Sequence, residues 1–323
     1  MDERPGMNIG ALLHTINVHG GVRRYFEVGN TLIRHGHSFT LFHRVIGERV
    51  PWMRFDGNAV PYDLHRGKKF DAMITGAHEC FNDLVRSDAT VKIVLVVAKF
   101  YADRYKRLWK EFGNSLLWIG VSGNWNEGME EIEGITIPGG VDTEFFKPIE
   151  RAEEDKLTVS FYCRTGSGRN VDQILDVAKE CQDVATFIGY DSENGRPSLE
   201  HAPGVEIRKM KNQEEMLRLL QNSDIILSGM RTAGWNNVIS EAMACGAVSV
   251  TTSAGCEDLV QNLMTGCICY NEDFRSEMIG WIRALARNRK KLGMIRRNAI
   301  QHVQQFSWDK HVAKILEEVK KRI

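Results

Sequence analysis

The fold is decided by one stretch, Gly234-Trp-Asn-Asn-Val-Ile-Ser-Glu-Ala-Met-Ala-Cys-Gly246, and by the apolar run 248–251 that follows it. Asparagine is a favoured helix N-cap and glycine a favoured C-cap, so a helix is predicted over 237–245. The β-branched run after Gly246 predicts a buried strand. A helix that leads through one glycine into a buried strand is half of a βαβ unit, and this predicts a parallel sheet.

The same alternation of short apolar runs and longer amphipathic stretches extends along the whole chain. Strands are predicted at 7–13, 38–43, 72–75, 91–97, 116–121, 134–137, 157–163, 185–188, 224–227 and 248–251. Helices are predicted at 22–34, 102–112, 123–132, 170–181, 212–221 and 237–245, and a helical tail runs from 274 to the end. In that tail Ser307 is the predicted N-cap of a last helix that starts at Trp308. The pattern predicts an α/β fold with right-handed crossovers.

The chain is predicted to hold two domains. Its 323 residues correspond to about two domains at ~150 residues each. The stretch 148–156 holds Pro148, six charged residues and almost no apolar residue, and it is predicted to be the linker. We therefore expect an N-terminal domain at 1–148, a C-terminal domain at 149–306 and a last helix at 307–323. Ligands of doubly wound domains bind at the carboxyl ends of strands, which predicts a site in the cleft between the domains.

Composition narrows the functional class. The 42 basic and 42 acidic residues give zero formal net charge, which argues against a protein whose main ligand is bulk nucleic acid. No apolar run approaches the ~20 residues of a membrane span, and no signal peptide opens the chain. The seven cysteines form no C-x-x-C pair, so we expect a reducing, cytoplasmic setting.

Three groups of residues indicate a site for a phosphorylated ligand. Gly20-Gly21 lies between a predicted strand and a predicted helix, where backbone N–H groups can approach an anion. Arg164 and Arg169 flank a glycine-rich loop after another strand, and paired guanidinium groups suit a diphosphate. Glu241 lies one turn into its helix, where a carboxylate can accept hydrogen bonds from a sugar diol. The plainer interpretations are an ordinary turn, a solvated loop with surface arginines, and a helix-dipole partner.

In combination the motifs of this chain resemble those of the retaining glycosyltransferases of family 4. They occur in the order of that family: Gly20-Gly21, Arg34-His-Gly-His37, Pro138-Gly-Gly-Val-Asp142 and Glu241-Ala-Met-Ala-Cys-Gly246. The resemblance implies a GT-B fold, which consists of two Rossmann-like doubly wound domains with a donor cleft between them. It also implies that the helix after Phe306-Ser307 crosses back to the first domain.

The resemblance implies that several residues bind a nucleotide-diphosphate sugar. Gly21 would donate its N–H to the diphosphate, Arg164 and Arg169 would neutralise the diphosphate as it leaves, and Glu241 would hold the ribose. The other donor-binding residues that it implies are Met210, beside the base, and the loop residues Trp235, Asn236, Asn237 and Val238.

The activity implied by the resemblance is transfer of a sugar to an acceptor hydroxyl with retention of the anomeric configuration. The acceptor would be a glycan, a lipid or a small molecule. The resemblance implies no metal and no cofactor, with a UDP-sugar as the favoured co-substrate. No catalytic residue is assigned, because no protein nucleophile is established in that family.

Two residues depart from the family pattern where the transferred sugar is normally bound. Ala233 stands where the first Glu of the E-x7-E motif is expected, and Ala98 stands where a histidine that faces the sugar C6 hydroxyl is expected. The sequence therefore predicts a normal nucleotide site and an altered sugar site. The hypothesis that follows is a donor with less to offer at C6, such as a pentose or a 6-deoxy sugar, or else a donor that is recognised by residues elsewhere in the cleft.

Further observations keep other functions open. The segment 100–110 mixes aromatic and basic residues, which suits a membrane surface or the bases of DNA; a solvated amphipathic helix explains it equally well. A transferase acting on a modified DNA base is therefore one alternative. A non-catalytic sugar-nucleotide-binding protein is the other, because of Ala233 and Ala98. His78 follows a predicted strand and is the acceptor-side candidate, although a polar loop residue is the commoner role of such a histidine.

Overall fold

The computed structural model describes residues 6–16, 20–44, 53–97, 99–165, 168–192 and 199–323. It divides into two compact units. The first unit is Met1–Gly139 together with Trp308–Ile323, and the second is Gly140–Ser307. Each unit has its own sheet.

All strands of the described residues pair in parallel. The strands are β1 Asn8–Leu13, β2 Ser38–His43, β3 Asn58–Pro61, β4 Lys69–Thr75, β5 Asp88–Val96, β6 Leu117–Gly120, β7 Ile135–Thr136, β8 Leu157–Tyr162, β9 Ala185–Ser192, β10 Val205–Met210, β11 Ile225–Ser228, β12 Val248–Thr252 and β13 Gly266–Cys269. The helices are α1 Gly20–Arg34, α2 Phe81–Arg86, α3 Ala102–Phe112, α4 Val171–Glu180, α5 Gln213–Gln221, α6 Asn237–Cys245, α7 Arg275–Arg287, α8 Arg289–Val303 and α9 Trp308–Lys320. The sheet orders are β3-β2-β1-β4-β5-β6-β7 and β10-β9-β8-β11-β12-β13.

The two sheets have the doubly wound topology of Rossmann-like domains. In each sheet the strand order runs outward from the first strand and then reverses, which requires crossover connections on both faces. Because all strands are parallel, their carboxyl ends meet at one edge of each sheet. That edge is where ligands of such folds bind, and the predicted site residues are described below relative to it.

The core of the first unit has a layer on each face of the sheet. One layer joins α1 and α9, through residues such as Phe26 and Ile315, to the buried side chains of the central strands. The other layer joins α3 to the sheet through Tyr105 and Leu108, with Trp118 of β6 fully buried among them. The amphipathic spacing of these helices therefore matches their burial.

The predicted helix at 123–132 is wrong. That stretch forms successive tight turns, with Trp125 N donating to Ser122 O and Ile132 N to Met129 O. These hydrogen bonds span three residues and do not continue into a helical ladder. Gly128 has φ +76°, in the left-handed region, and this interrupts any helix through the segment.

The predicted linker at 148–156 belongs to the second unit. Arg151 donates to the carbonyl oxygens of Asn222 (2.8 Å) and Ser223 (3.2 Å) and pairs with the carboxylate of Asp224. The chain passes from the first unit to the second between Gly139 and Gly140, earlier than the predicted boundary at 148/149. The residues between are fixed to the second unit, since Val141 N donates to Phe306 O at 2.8 Å. The charged residues of 148–156 suggested a linker because the sequence does not show that Arg151 binds residues 222–224.

The last helix, α9, is part of the first unit. Asp309 in its first turn accepts a hydrogen bond from Arg34 at the end of α1 (3.2 Å). His311 is also near its start, and its Nδ1 donates to the carbonyl oxygen of Pro138 (2.7 Å). These contacts fix the start of α9 beside the end of α1 and the segment after β7.

Candidate functional site

Arg164 lies at the carboxyl end of β8 and is held by a buried carboxylate. Its Nε and Nη2 donate to Asp191 Oδ2 (3.1 Å) and Oδ1 (2.6 Å). Arg164 is 4% exposed and Asp191 is 0% exposed. Asp191 is near the end of β9, the neighbour of β8, so the parallel register brings the two side chains together. Such a two-point pair fixes the plane of the guanidinium group.

Tyr162 brings Arg164 and Arg169 to one place. The Cζ atoms of the two arginines lie 5.2 and 5.3 Å from the centre of the Tyr162 ring, within cation–π range. Burial, with the charge of Asp191, raises the pKa of Tyr162, so the phenol is neutral. Arg169 is partly exposed and forms no ion pair with any residue that the structure describes. Among the described residues, Arg164 is therefore neutralised by a carboxylate and Arg169 has no counter-charge.

The predicted donor-binding loop leads into α6 through an asparagine cap. Asn236 is buried, its Oδ1 accepts from Ile239 N (3.3 Å), and its own N donates to Gly255 O (2.9 Å). Asn237 and Val238, the first two residues of α6, are partly exposed. The cap satisfies the N–H of Ile239, and the other N–H groups in the first turn of a helix are donors that can bind an anion.

Trp235 is buried in the same loop. Its ring packs on Phe306 with centroids 5.2 Å apart, and its Nε1 is buried without a hydrogen-bond partner among the described residues. Buried indole N–H groups usually have a partner. A polar ligand atom beside this loop would supply one.

Glu241 is buried, at 3% exposure, one turn into α6. Burial, together with the Glu241 charge, raises the pKa of the Tyr190 phenol and of the Cys245 thiol, so the carboxylate lies near both groups. Tyr190 in turn packs against Tyr162, with ring centroids 5.7 Å apart. The two tyrosines thus connect Glu241 to the pair of arginines.

The structure shows the surroundings of Ala233, one of the two departures from the family pattern. A Cβ at Gly255, whose φ is +69°, would lie 2.7 Å from Ala233 Cβ, so Ala233 packs closely against this turn. Cys256, the next residue, is fully buried, and its Sγ lies 3.8 Å from Thr251 Oγ1. Burial raises the pKa of Cys256 to about 12, so it is a neutral core thiol. Ala98 lies outside the described residues.

The remaining predicted residues belong to other elements of the fold. Gly21 is the second residue of α1 in the first unit. His78, also in the first unit, stacks on Tyr101 with centroids 4.6 Å apart, and its Nδ1 is 3.0 Å from Glu79 Oε2. Met210 is buried at the end of β10 in the second unit.

A cavity of about 1140 Å³ lies in the second unit but includes only Met210 of the predicted site residues. Several of its arginines already form ion pairs within the protein: Arg151 and Arg296 pair with Asp224, and Arg208 pairs with Glu206. We therefore place the candidate site at Tyr162 and α6 and not in this cavity. Within the described ranges no cluster of three or more His, Cys, Asp or Glu side chains is placed to hold a metal ion.

Asp191 is the residue of the candidate site that sequence reasoning missed. The sequence did contain a signal for Asp191, because it is an acidic residue at the predicted ligand-binding edge, near the end of a strand next to β8.

The aromatic segment 100–110 also has a defined place. Tyr105 and Leu108 are buried, and Trp109 packs on Trp118 with centroids 5.7 Å apart, so these rings serve the core.

Comparison with known proteins confirms the fold and the resemblance. Residues 158–288 match the family described as glycosyl transferases group 1. Anabaena HepE in complex with UDP and glucose has a TM-score of 0.77 at 14% identity, over 97% of this chain and 99% of that one. A glycosyltransferase from Rickettsia africae has a TM-score of 0.72 at 14% identity, over 98% of both chains. Sucrose-phosphate synthase from Thermosynechococcus elongatus has a TM-score of 0.72 at 12% identity, over 98% and 99%.

These likenesses identify the fold as GT-B, with two Rossmann-like domains. No curated protein matches the sequence significantly. None of the helices in the described part of the chain has the length and apolar content of a membrane span.

Proposed function

We propose that the chain is a glycosyltransferase that moves a sugar from a nucleotide-diphosphate donor, UDP-sugar being favoured, to an acceptor hydroxyl with retention. The observation that carries this proposal is the convergence of Arg164 and Arg169 on Tyr162, connected through Tyr190 to the buried carboxylate of Glu241. Two cations and a carboxylate are the groups that a diphosphate and a ribose diol require. The match of residues 158–288 to group 1 glycosyltransferases supports the proposal, as does the fold shared with a UDP-bound protein.

The arginines would act on the leaving group. When the bond between the sugar and the diphosphate breaks, negative charge grows on the phosphate oxygens, and preorganised donors stabilise that charge. Arg164 is already fixed in orientation by Asp191, whereas Arg169 supplies the uncompensated charge. The N-terminus of α6 adds N–H donors. This set of groups needs neither a metal nor a cofactor, and we assign no catalytic base.

The sugar specificity follows from Ala233 and Ala98. Neither side chain can form a hydrogen bond, and a pocket without such groups does not select for a hydroxyl. We therefore propose a donor with less to offer at C6, such as a UDP-pentose or a 6-deoxy sugar. Competition between UDP-glucose and UDP-xylose tests this, and a clear preference for the hexose would contradict it.

The proposed compartment is the cytoplasm. All seven cysteines are free and buried in the structure. Thiols that remain reduced and serve as core residues are typical of proteins in reducing compartments.

The central test measures UDP affinity by titration calorimetry. Arg169→Ala and Arg164→Ala each remove a charge-assisted contact worth ~1.5–3 kcal/mol, so we expect a loss of roughly 10- to 150-fold. Glu241→Gln keeps the shape and loses the charge, and about a tenfold loss is expected. Arg275→Ala is the matched control, because Arg275 pairs with Asp176 and Asp273 on the exposed surface of α7.

Two results would count against the proposal. If Arg164→Ala and Arg169→Ala fold and bind UDP as well as Arg275→Ala does, the site is not a diphosphate site. If UDP binds but no UDP-sugar is hydrolysed or transferred, the non-catalytic alternative replaces the enzyme. The anomeric configuration of the product, read by NMR, tests retention.

A further inference from the structure

Two adjacent arginines of α1 have opposite surroundings. Arg23 lies 3.7 Å from Glu27 Oε1 in an i,i+4 ion pair. Arg24 is 3% exposed, and its Nε and Nη1 atoms are buried without a hydrogen-bond partner among the residues that the structure describes. A guanidinium group has five N–H donors and cannot be satisfied by losing its proton at neutral pH.

No carboxylate among the residues that the structure describes pairs with Arg24. Burial lowers the pKa of Arg24 to about 10, and only the neighbouring phenol of Tyr25 opposes this effect. The group is therefore still charged at pH 7. An unpaired charge in a buried site is expensive, and natural proteins rarely keep one without a partner. The chain bears a cost at Arg24 that a hydrophobic residue would remove.

The surroundings of Arg24 lie at the ligand-binding edge of the first unit. α1 follows the carboxyl end of β1, and Arg24 is in its second turn. His311 is close enough that the Arg24 charge, after burial, contributes to lowering the histidine pKa. His311 Nδ1 donates to Pro138 O, while its Nε2 is buried and has no partner in the described ranges. Ser122 follows β6 at the same edge, and its hydroxyl is also buried without a partner among the described residues.

We propose that Arg24 is the anion-binding residue of the first unit and that it takes an oxyanion, either a carboxylate or a phosphate. The planar guanidinium group binds either one through two parallel hydrogen bonds. If the proposed function holds, on which this step rests, the oxyanion belongs to the acceptor, which is then an anionic molecule such as a sugar acid, a phosphorylated sugar or a phospholipid headgroup.

The test compares thermal stability in potassium phosphate, potassium acetate and potassium chloride at equal ionic strength. Arg24→Met and the matched control Arg23→Met are made in the Arg169→Ala background, so that phosphate bound at the donor site does not contribute. In chloride, Arg24→Met is expected to melt higher than its parent, because it removes an unpaired buried charge. Phosphate or acetate is expected to raise the melting temperature of the parent and of Arg23→Met by about 2–4 °C and to leave Arg24→Met unchanged.

The arms of the experiment separate the sources of the anion. A response to acetate alone assigns a carboxylate, and a response to phosphate assigns a phosphate; both support the site. UDP affinity of Arg24→Met in the otherwise native chain is expected to equal that of the native chain. A loss of UDP affinity would assign the oxyanion to the donor and overturn the assignment to the acceptor.

Other results would overturn the site itself. If Arg24→Met melts lower than its parent in chloride and still responds to phosphate, Arg24 is a structural residue. If neither anion stabilises the parent more than Arg24→Met, no oxyanion binds there. Arg24→Lys keeps the charge with a single ammonium group, so it gives a folded variant in which a reduced response is expected. These outcomes do not depend on whether Arg164 and Arg169 bind a nucleotide.

Discussion

At the scale of single residues, Asp191 has the largest effect predicted here. It is fully buried and forms a two-point ion pair with Arg164. Asp191→Asn would leave the buried guanidinium without a counter-charge, which costs about 3–5 kcal/mol in unfolding free energy. Urea denaturation measures this loss. The matched control is Asp183→Asn, since Asp183 also accepts two hydrogen bonds from one arginine, Arg283, but on the surface, so stability should change by less than about 1 kcal/mol.

Equal effects of the two aspartate variants would show that burial does not set the strength of the Asp191 pair.

Asp191 also shows which parts of the site could be predicted from the sequence and which could not. Arg164, Arg169 and Glu241 could be chosen because each lies in a recognisable motif. Asp191 lies in none, and its role depends on the pairing of β8 with β9, which local pattern does not specify.

Ala98 and Arg24 illustrate a second limit of prediction from sequence. A substitution such as Ala98 is visible only against a family pattern, and its surroundings lie outside the described residues. The unpaired state of Arg24 is invisible in sequence, because Arg23-Arg24 on a helix is typical of a solvated face. Only the packing of α1 shows that Arg23 is paired, whereas Nε and Nη1 of Arg24 are buried without a partner in the described part of the chain.

At the scale of elements, two helical glycines should respond in opposite directions to the same change. A Cβ at Gly29 in α1 would lie 2.4 Å from Phe39 Cδ1 and 2.8 Å from Phe55 Cε2, so Gly29→Ala overpacks the contact between α1 and the sheet. A loss of about 1–3 kcal/mol is expected. A Cβ at Gly280 in α7 meets nothing within 4 Å, so Gly280→Ala should add up to about 1 kcal/mol through helix propensity.

Denaturation midpoints of the two alanine variants check this pair. A neutral Gly29→Ala would mean that the Phe39 and Phe55 rings move aside at little cost. A destabilising Gly280→Ala would mean that the exposed side of α7 contacts something that the fold alone does not show.

His311 gives the start of α9 a dependence on pH. Burial, with the charges of Arg24 and Lys314, lowers the pKa of His311 to about 3, whereas in the unfolded chain it is about 6.5. Between these values the unfolded state binds a proton that the folded state does not. Folding stability therefore falls as pH is lowered from about 6.5 toward 3, by up to about 1.4 kcal/mol per pH unit from this group.

The check is a series of denaturation midpoints between pH 7 and pH 4.5. His311→Gln should flatten the profile, and His14→Gln, at an exposed position, should leave it as it is in the native chain. If His311→Gln keeps the native slope, other groups account for the acid sensitivity.

The elements were predicted well where pattern and capping agreed. The limits of β2, α3 and α6 match the predicted 38–43, 102–112 and 237–245. The missed strands have weak signals for physical reasons. β3 is a four-residue edge strand that ends in Pro61, β10 is rich in charged residues on its exposed side, and β13 consists largely of glycine and cysteine. The wrong helix at 123–132 had helical spacing but contained Gly128.

At the scale of the whole molecule, α9 is predicted to be essential for the stability of the first unit but not of the second. Trp308, Val312, Ile315, Leu316 and Val319 are members of the core that contains α1 and the central strands. Removing 308–323 would expose these partners, and at ~1.5–3 kcal/mol for each of these buried side chains the loss is comparable to the ~5–15 kcal/mol stability of an ordinary domain.

Hydrogen exchange on the truncated chain checks this prediction. The amides of β1, β4 and β5 should lose protection, while those of β8, β11 and β12 keep it. Equal loss of protection in both sheets would show that the two units do not unfold separately. Retained protection in the first sheet would show that α9 is dispensable.

The placement of α9 also sets an order of events on the ribosome. The segment 140–307, which forms the second unit, is synthesised between the two parts of the first, and at about 5–20 residues per second this takes on the order of 10–30 s. Throughout that interval the nascent first unit lacks the helix that covers α1 and the central strands. The unit that begins first is therefore completed last, and its uncovered apolar face is the surface that a chaperone would meet during translation.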